Sequence, residues 1–540
     1  MQSTMMRVEL NMTHFLERAG KLFGGVEIVS RMPDKSLHRT TYAEFYRRSR
    51  LLAEALQAAG IGKGDRVATL MWNHYAHYES YFGIIAAGAV LHTRNLRLSP
   101  EEIGYIAHHA EDRILIVDDI LLPLYEQFKA HTKIEKVVVV PLTGKPVPAP
   151  YVDYEEFLAS ASGDWDYPEM HEDDPIAMCY TSGTTGRPKG VVYSHRSQVL
   201  HSLAFCIPDA VNLSGRDVVL PVVPMFHANA WGLPYAAAMI GTKMVFPGPH
   251  LHPDDLLPLF ESEHVTVSCG VPTIWLGMVQ ILDANPGKFR LPAGLRLTVG
   301  GSAVPESLIR GMARHGITIM QGWGMTETSP LATVSKINQL QGDLTEDERF
   351  ATLALQGYPM PLVDIRLIGD EGEQPWDGKS VGEIQVHGPW ITGSYHDLPQ
   401  STDSFAPDGW LRTGDVASMT ALGYVKITDR TKDLIKSGDE WISSVDLENA
   451  IMGHPDVAEA AVIAVPHPKW AERPLAVVVA KKDRTLNADA LRDYLSGRFA
   501  KWAVPDAFAF VDAIPRTSTG KFLKTRLRDT YRSWYEGNAS

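Results

Sequence analysis

Hydrophobic and polar positions along the first 365 residues follow two alternating periods. Within residues 45–58, Leu51, Leu52, Ala55 and Leu56 recur at helical spacing, and Gly60 follows as a helix stop. Residues 66–71 then read as a strand, 101–108 as a helix, and 114–117 and 137–140 as strands. Residues 81–91 form the most apolar stretch and predict a buried helix, too short to cross a bilayer. Strands alternating with helices predict an α/β architecture with largely parallel sheets. Residues 141–173, rich in Pro, Gly and acids, predict irregular surface structure. After residue 365 short strand candidates (364–367, 382–387, 424–428) are separated by Gly, Pro and Asp turns, which predicts a β-rich subdomain. Beyond the charged stretch 429–434 lies a small α+β unit. It has strands at 460–465 and 475–480, and a helix capped by Asn487 in which Leu491, Leu495 and Phe499 recur. The division is therefore an N-terminal domain at 1–428, a linker at 429–434 and a small C-terminal domain at 435–540.

A chain of 540 residues exceeds one hydrophobic core, in agreement with this division. Its net charge of −13 argues against a nucleic-acid surface, which needs a basic stripe. The N-terminal stretch carries Glu9 and Glu17 and lacks the apolar block of a signal peptide. Cys179, Cys206 and Cys269 are too scattered for a disulfide framework or a CxxC site, which suits a reducing compartment. The expected location is the cytoplasm.

The chemistry concentrates in residues 180–190, Tyr-Thr-Ser-Gly-Thr-Thr-Gly-Arg-Pro-Lys-Gly. An apolar strand (176–180) enters this loop and a second strand (190–193) leaves it. Its glycines let backbone N–H groups approach phosphate oxygens, its hydroxyls add donors, and Arg187 and Lys189 offset charge. It is not a Walker A loop, because the GxxxxGK[ST] spacing is missing and a strand follows instead of a helix. Residues 300–304, Gly-Gly-Ser-Ala-Val, lack the closing glycine of a GxSxG hydrolase, and His171-Glu-Asp-Asp is no HExxH zinc motif.

This loop resembles the phosphate-loop signature of the adenylate-forming superfamily: acyl-CoA synthetases, luciferase and peptide-synthetase adenylation domains. The superfamily's other signatures are matched in order. They are 224–231 (Pro-Met-Phe-His-Ala-Asn-Ala-Trp), 300–305 (Gly-Gly-Ser-Ala-Val-Pro), 321–328 (Gln-Gly-Trp-Gly-Met-Thr-Glu-Thr), 409–415 (Gly-Trp-Leu-Arg-Thr-Gly-Asp), 429–433 (Asp-Arg-Thr-Lys-Asp) and 515–521 (Pro-Arg-Thr-Ser-Thr-Gly-Lys). The wording is similar to bacterial medium- and long-chain fatty acyl-CoA synthetases and to methylthiopropionate-CoA ligase.

The resemblance implies ATP-dependent activation of an aliphatic acid to acyl-AMP, then transfer to coenzyme A, with Mg²⁺ as cofactor. Its alternative is a stand-alone adenylating enzyme that passes the acyl group to an amine or a carrier protein. It implies ATP or AMP binding by Thr181, Ser182, Gly183, Thr184, Thr185, Gly186 and Lys189, by Gly322, Trp323, Gly324, Met325 and Thr326, and by Asp415 and Arg430. Thr184 and Glu327 would hold the metal, Trp323 would stack on adenine, and Lys521, His227 and Glu327 would be catalytic. The acyl pocket would be walled by Val223, His227, Trp231, Val299, Gly300, Gly301, Ser302 and Gly324, with Trp231 as a plug. Lys432 would be the hinge of a rotating small domain. Lys436, Gly438, Asp439, Glu440 and Trp441 would line the coenzyme A tunnel. Asp439 departs from the pattern, since it falls where the superfamily has glycine, and a carboxylate there would narrow the tunnel and repel an anionic cofactor. Relatives pair through their N-terminal parts, so the resemblance also implies a homodimer.

Overall fold

The computed structural model describes residues 1–181, 187–398, 403–430, 433–437, 440–517 and 520–537. Among the described residues the chain builds four sheets. The seven-stranded sheet runs in the order Val152–Asp153, Lys136–Val140, Asp112–Asp118, Arg66–Leu70, Val90–Thr93, Pro175–Tyr180, Gly190–Ser194. Its pairs are parallel except the last, which is the antiparallel pair that brackets the phosphate loop. Four successive residues, 114–117, are buried, as a parallel strand covered on both faces requires.

The nine-stranded sheet has a parallel centre: Thr318–Gly324, Arg296–Val299, Val267–Gly270, Val218–Pro221, Lys243–Phe246 and Glu27–Arg31. Antiparallel strands close both edges, Leu37–Thr41 on one side and Leu331–Val334 with Tyr358–Pro359 on the other. A five-stranded antiparallel sheet spans Asp364–Gly369 to Val425–Arg430. The fourth sheet begins at Ile435–Ser437 and is built on the long hairpin Val457–His467 and Ala471–Ala480, with its own apolar core. The α/β class with a separate small α+β unit is therefore borne out.

Local chemistry accounts for the helix ends. Ser99 Oγ accepts from the Glu102 N–H at 3.3 Å while Glu102 accepts from the Ser99 N–H at 3.0 Å, a capping box with Pro100 at the first helical position. Asn487 caps Ala488–Ser496 as expected, but the helix stops before Phe499. Two expectations need correction. Residues 81–91 are not one helix: Tyr75–Ala86 ends at a turn through Gly88 (φ +78°), and the next strand begins at Val90. The stretch 141–173 is not wholly irregular, because Asp153 accepts from the Glu155 and Glu156 N–H groups and starts the helix Tyr154–Ala159. No described helix is long and apolar enough to cross a membrane.

Candidate active site

The sheets converge on a cavity of about 470 Å³. Its floor is the end of the strand Arg296–Val299 and the two glycines that follow. A Cβ on Gly300 would lie 2.8 Å from the Gly322 carbonyl oxygen and 3.3 Å from the Trp231 ring, so only glycine leaves this floor open. Gly324 is tighter still, since its Cβ would fall 1.7 Å from the Pro330 oxygen.

Thr181 and Lys189 line the cavity and close the base of the phosphate loop. The Thr181 N–H donates to the Lys189 carbonyl at 2.9 Å, and the Lys189 N–H donates to Thr181 Oγ1 at 3.1 Å. The Lys189 ammonium donates to Ser404 Oγ at 3.2 Å and stands 4.6 Å over the Tyr395 ring. The Tyr395 hydroxyl in turn donates to Glu327 Oε1 at 2.9 Å. Glu327 is buried, and desolvation raises its pKa above the ordinary carboxylate value. Ser182, Gly183, Thr184, Thr185 and Gly186 lie outside the described residues.

Asp415 uses both oxygens. Oδ2 accepts from the Trp323 indole N–H at 2.8 Å, and Oδ1 lies 3.1 Å from Arg430 Nε. Trp323 and Arg430 border both this cavity and an adjoining one of about 200 Å³, which Asp415 and Ser302 line. Lys521 comes from the small domain and lines both cavities. Its loop is held by the Thr517 N–H to the Lys521 carbonyl (2.7 Å) and the Lys521 N–H to Thr517 Oγ1 (3.1 Å).

His227 and Trp231 line the cavity with Phe205, Ala228 and Leu331, and His227 also borders a small adjoining pocket with Thr181. Burial, then the charges of Lys521 and Arg97, push His227 down to about 3, so its imidazole is neutral at physiological pH. The segment after His227 is a left-handed turn: φ is +42° at Ala228, +49° at Asn229, +48° at Ala230 and +59° at Trp231. Val223 and Val299, expected in the acyl wall, do not line the cavity: both are buried, Val223 in one apolar core and Val299 in another.

Gly322, Gly324, Met325, Thr326 and Gly301 line the cavity as the motifs placed them. Residues that sequence reasoning missed include Thr298, Tyr395, Glu383 and Ser404. Arg412 and Thr413 sat inside a quoted motif, whereas Tyr395 carried no sequence signal. Among the described lining residues five cations (Arg187, Lys189, Arg412, Arg430, Lys521) face three carboxylates (Glu327, Glu383, Asp403), a balance suited to a polyanion. In the small domain, Lys436 is exposed on the strand Ile435–Ser437, and Glu440 and Trp441 start the strand paired with it. Lys432, Gly438 and Asp439 lie outside the described residues.

Comparison with known proteins accords with this geometry. The AMP-binding enzyme family matches residues 16–396, and the AMP-binding enzyme C-terminal domain matches residues 446–521. A long-chain-fatty-acid–CoA ligase of Thermus thermophilus is 52% identical over 99% of this chain and 98% of its own. A 3-methylmercaptopropionyl-CoA ligase of Ruegeria pomeroyi is 42% identical over 99% of this chain and 100% of its own. Among solved structures, ATP-bound MatB of Rhodopseudomonas palustris superposes with a TM-score of 0.83 at 28% identity, covering 98% of this chain and 100% of that one. Kinship of this length takes in the large domain, the small domain and the cavity between them, and the chain belongs to the AMP-binding enzyme family of the adenylate-forming superfamily.

Proposed function

We propose that this AMP-forming acid–thiol ligase acts on an aliphatic acid, either a medium- or long-chain fatty acid or a short thioether acid. The observation that carries the reading is the shared cavity: Lys521 stands at its glycine floor, and Glu327, Lys189, His227 and Trp231 line it together. The substrate class rests on the relatives at 52% and 42% identity, named for long-chain fatty and methylmercaptopropionic acids.

A carboxylate is a poor electrophile, and attack of its oxygen on the α-phosphorus of ATP, with loss of pyrophosphate, converts it into a mixed anhydride. The protein's task is to bring two anions together and stabilise the charge that develops. Lys521 supplies that charge. His227, being neutral, orients the carboxylate with one hydrogen bond and leaves the countercharge to Lys521. Lys189 and the phosphate loop hold the β- and γ-phosphates, Trp323 flanks the adenine, and Asp415 and Arg430 hold the ribose.

Glu327 suits Mg²⁺: it is a hard oxygen donor whose buried carboxylate carries a desolvation penalty that a dication would relieve. Glu327 and Thr184 would hold the ion, which when bound neutralises phosphate oxygens. In the second half-reaction the thiol of coenzyme A attacks the anhydride carbonyl and AMP leaves. We assign the hinge of the accompanying domain rotation to Lys432 within 429–434, between domains at 1–428 and 435–540. The coenzyme A tunnel is assigned to Lys436, Gly438, Asp439, Glu440 and Trp441. The protein is proposed to work as a cytoplasmic homodimer.

The test is a product-resolved mass-spectrometric assay with ATP, Mg²⁺ and acids from propionate to palmitate, with and without coenzyme A. Acyl-CoA with a chain-length optimum is expected, whereas no acyl-AMP from any of these acids would refute the reading. Asp439 is expected to slow the thioester step, so Asp439→Gly should raise thioester formation from supplied acyl-AMP. Equal rates would remove that role.

A further inference from the structure

The second cavity, about 200 Å³, lies behind Lys521, where the last strand of the β-rich subdomain meets the small domain. That strand, Val425–Arg430, ends immediately before the assigned hinge. Asp429 on it is 2% exposed. Its Oδ2 accepts from the backbone N–H of Ser444, in the first turn of the helix Ser444–Met452, at 2.9 Å. The neighbouring Thr428 carbonyl accepts from Ser443 Oγ at 2.5 Å, and Ser443 is that helix's own N-cap. The strand Val425–Arg430 thus supplies a carboxylate and a carbonyl to the N-terminus of a small-domain helix, where orphan N–H groups and the helix dipole favour negative charge.

The same helix grips the residue that leads back to Lys521. The Lys524 ammonium donates to Ser444 Oγ at 2.6 Å and pairs with Glu448 Oε1 at 2.8 Å, both on Ser444–Met452. Lys524 opens the helix Lys524–Tyr531, three residues after Lys521. Arg528 on that helix pairs with Asp433, just past the hinge. An outer ion pair, Lys426 to Asp446 at 3.0 Å, spans the same junction.

We infer that Asp429 is a positioning residue for adenylate formation: by capping the helix Ser444–Met452 from the strand Val425–Arg430, ahead of Lys432, it latches the small domain in the orientation that puts Lys521 in the cavity. The inference rests on the two-step reading above, because a rotation between residues 430 and 433 must pull Ser443 and Ser444 away from Thr428 and Asp429. Desolvation raises the pKa of Asp429, and the Lys524 charge and the hydrogen bonds from Ser444, both on the small domain, oppose that rise. The latch therefore favours the acyl-AMP-forming arrangement and must open before thioester formation. Lys521 touches the reacting groups. Asp429 acts only through the placement of Lys521.

The experiment separates the half-reactions in Asp429→Ala and Asp429→Asn. The first is read by ATP–pyrophosphate exchange with octanoate, the second by the rate of octanoyl-CoA formation from prepared octanoyl-AMP and coenzyme A. Asp429→Ala should lower the exchange kcat by about tenfold or more, since small misplacements of a catalytic group cost this much. KM for ATP and octanoate should stay within about twofold, and the thioester rate should be unchanged or faster. Asp429→Asn, which keeps an acceptor for the Ser444 N–H, should recover part of the loss. Lys426→Met, which breaks only the outer pair, should show the same split more weakly, and it decides the matter if the Asp429 variants do not fold. Proportional loss in both half-reactions, or an unchanged exchange rate, would overturn the latch. If the unsubstituted protein exchanges pyrophosphate but cannot use octanoyl-AMP with coenzyme A, the two-step reading fails by itself. The latch is then judged on exchange alone, where a rise in KM at constant kcat refutes it.

Discussion

Glu327 and Gly324, three residues apart, are constrained for opposite reasons. Glu327 is a buried carboxylate whose charge is unfavourable for stability, and its proposed use is to face a cation. Glu327→Gln keeps an oxygen for the Tyr395 hydroxyl and removes the desolvation penalty. It should leave the urea midpoint unchanged or raise it, while acyl-AMP formation falls by about 10²-fold, the scale of losing one electrostatic group at a reacting centre. Gly324 is a packing constraint. Gly324→Ala places a methyl 1.7 Å from the Pro330 oxygen, and should destabilise the fold by about 3 kcal/mol in denaturant titration. The glycines were visible in the motifs, but nothing in the sequence tells a glycine that shapes a cavity from one that only completes a turn. That difference lies in the atoms opposite it, contributed here from residues 231 and 330.

Among the elements, the left-handed turn 228–231 departs furthest from what the sequence suggests. Ala, Asn, Ala and Trp contain no glycine, and the spacing of His227 and Trp231 reads as one face of a right-handed helix. All four residues have positive φ, which costs an L-residue about 1–2 kcal/mol. Ala230→Gly relieves part of that strain, offset by greater freedom of the unfolded chain. It should raise stability by about 0.5–1 kcal/mol, whereas Ala236→Gly in the ordinary helix Leu233–Ile240 should lower it by about 1 kcal/mol. Opposite signs in paired thermal melts would establish the strain, and equal losses would deny it. By contrast, the two strands around the phosphate loop were legible as apolar runs flanking a glycine- and hydroxyl-rich loop, whereas their antiparallel pairing came from the fold.

Across the whole molecule, burial of neutral imidazoles makes stability depend on pH. His77 is buried between Thr69 Oγ1 and the Trp72 carbonyl, each at 2.9 Å, and desolvation lowers it to about 3. His201, also buried, lies near the same value. Below about pH 6.5 the unfolded chain takes up protons at these sites that the folded chain refuses. Their contribution is therefore present above pH 6.5 and is lost progressively as pH falls toward 3. Between pH 7.5 and 5.5 the parent should lose about 1 kcal/mol more than His77→Gln. Chemical denaturation at the two pH values measures this, and the difference cancels the buried carboxylates Glu79 and Glu448, whose raised pKa values act in the opposite sense. Identical slopes would show that His77 ionises freely in the folded protein.

By itself the sequence determined the α/β class, the small C-terminal unit and most of the residues that border the cavity. Those features rest on local periods and on motifs whose glycines, hydroxyls and cations are adjacent in the chain. Only the tertiary structure decided which of them meet. It brings Tyr395 onto Glu327 across 68 residues, Asp415 onto Trp323 across 92, and Lys521 to the Gly301 floor, while it buries Val223 and Val299 in apolar cores. A hydrogen bond or a cavity wall joins groups that sheet order and crossover packing place side by side. Contacts of that kind leave no period in the sequence, because each partner is constrained by a neighbour distant along the chain.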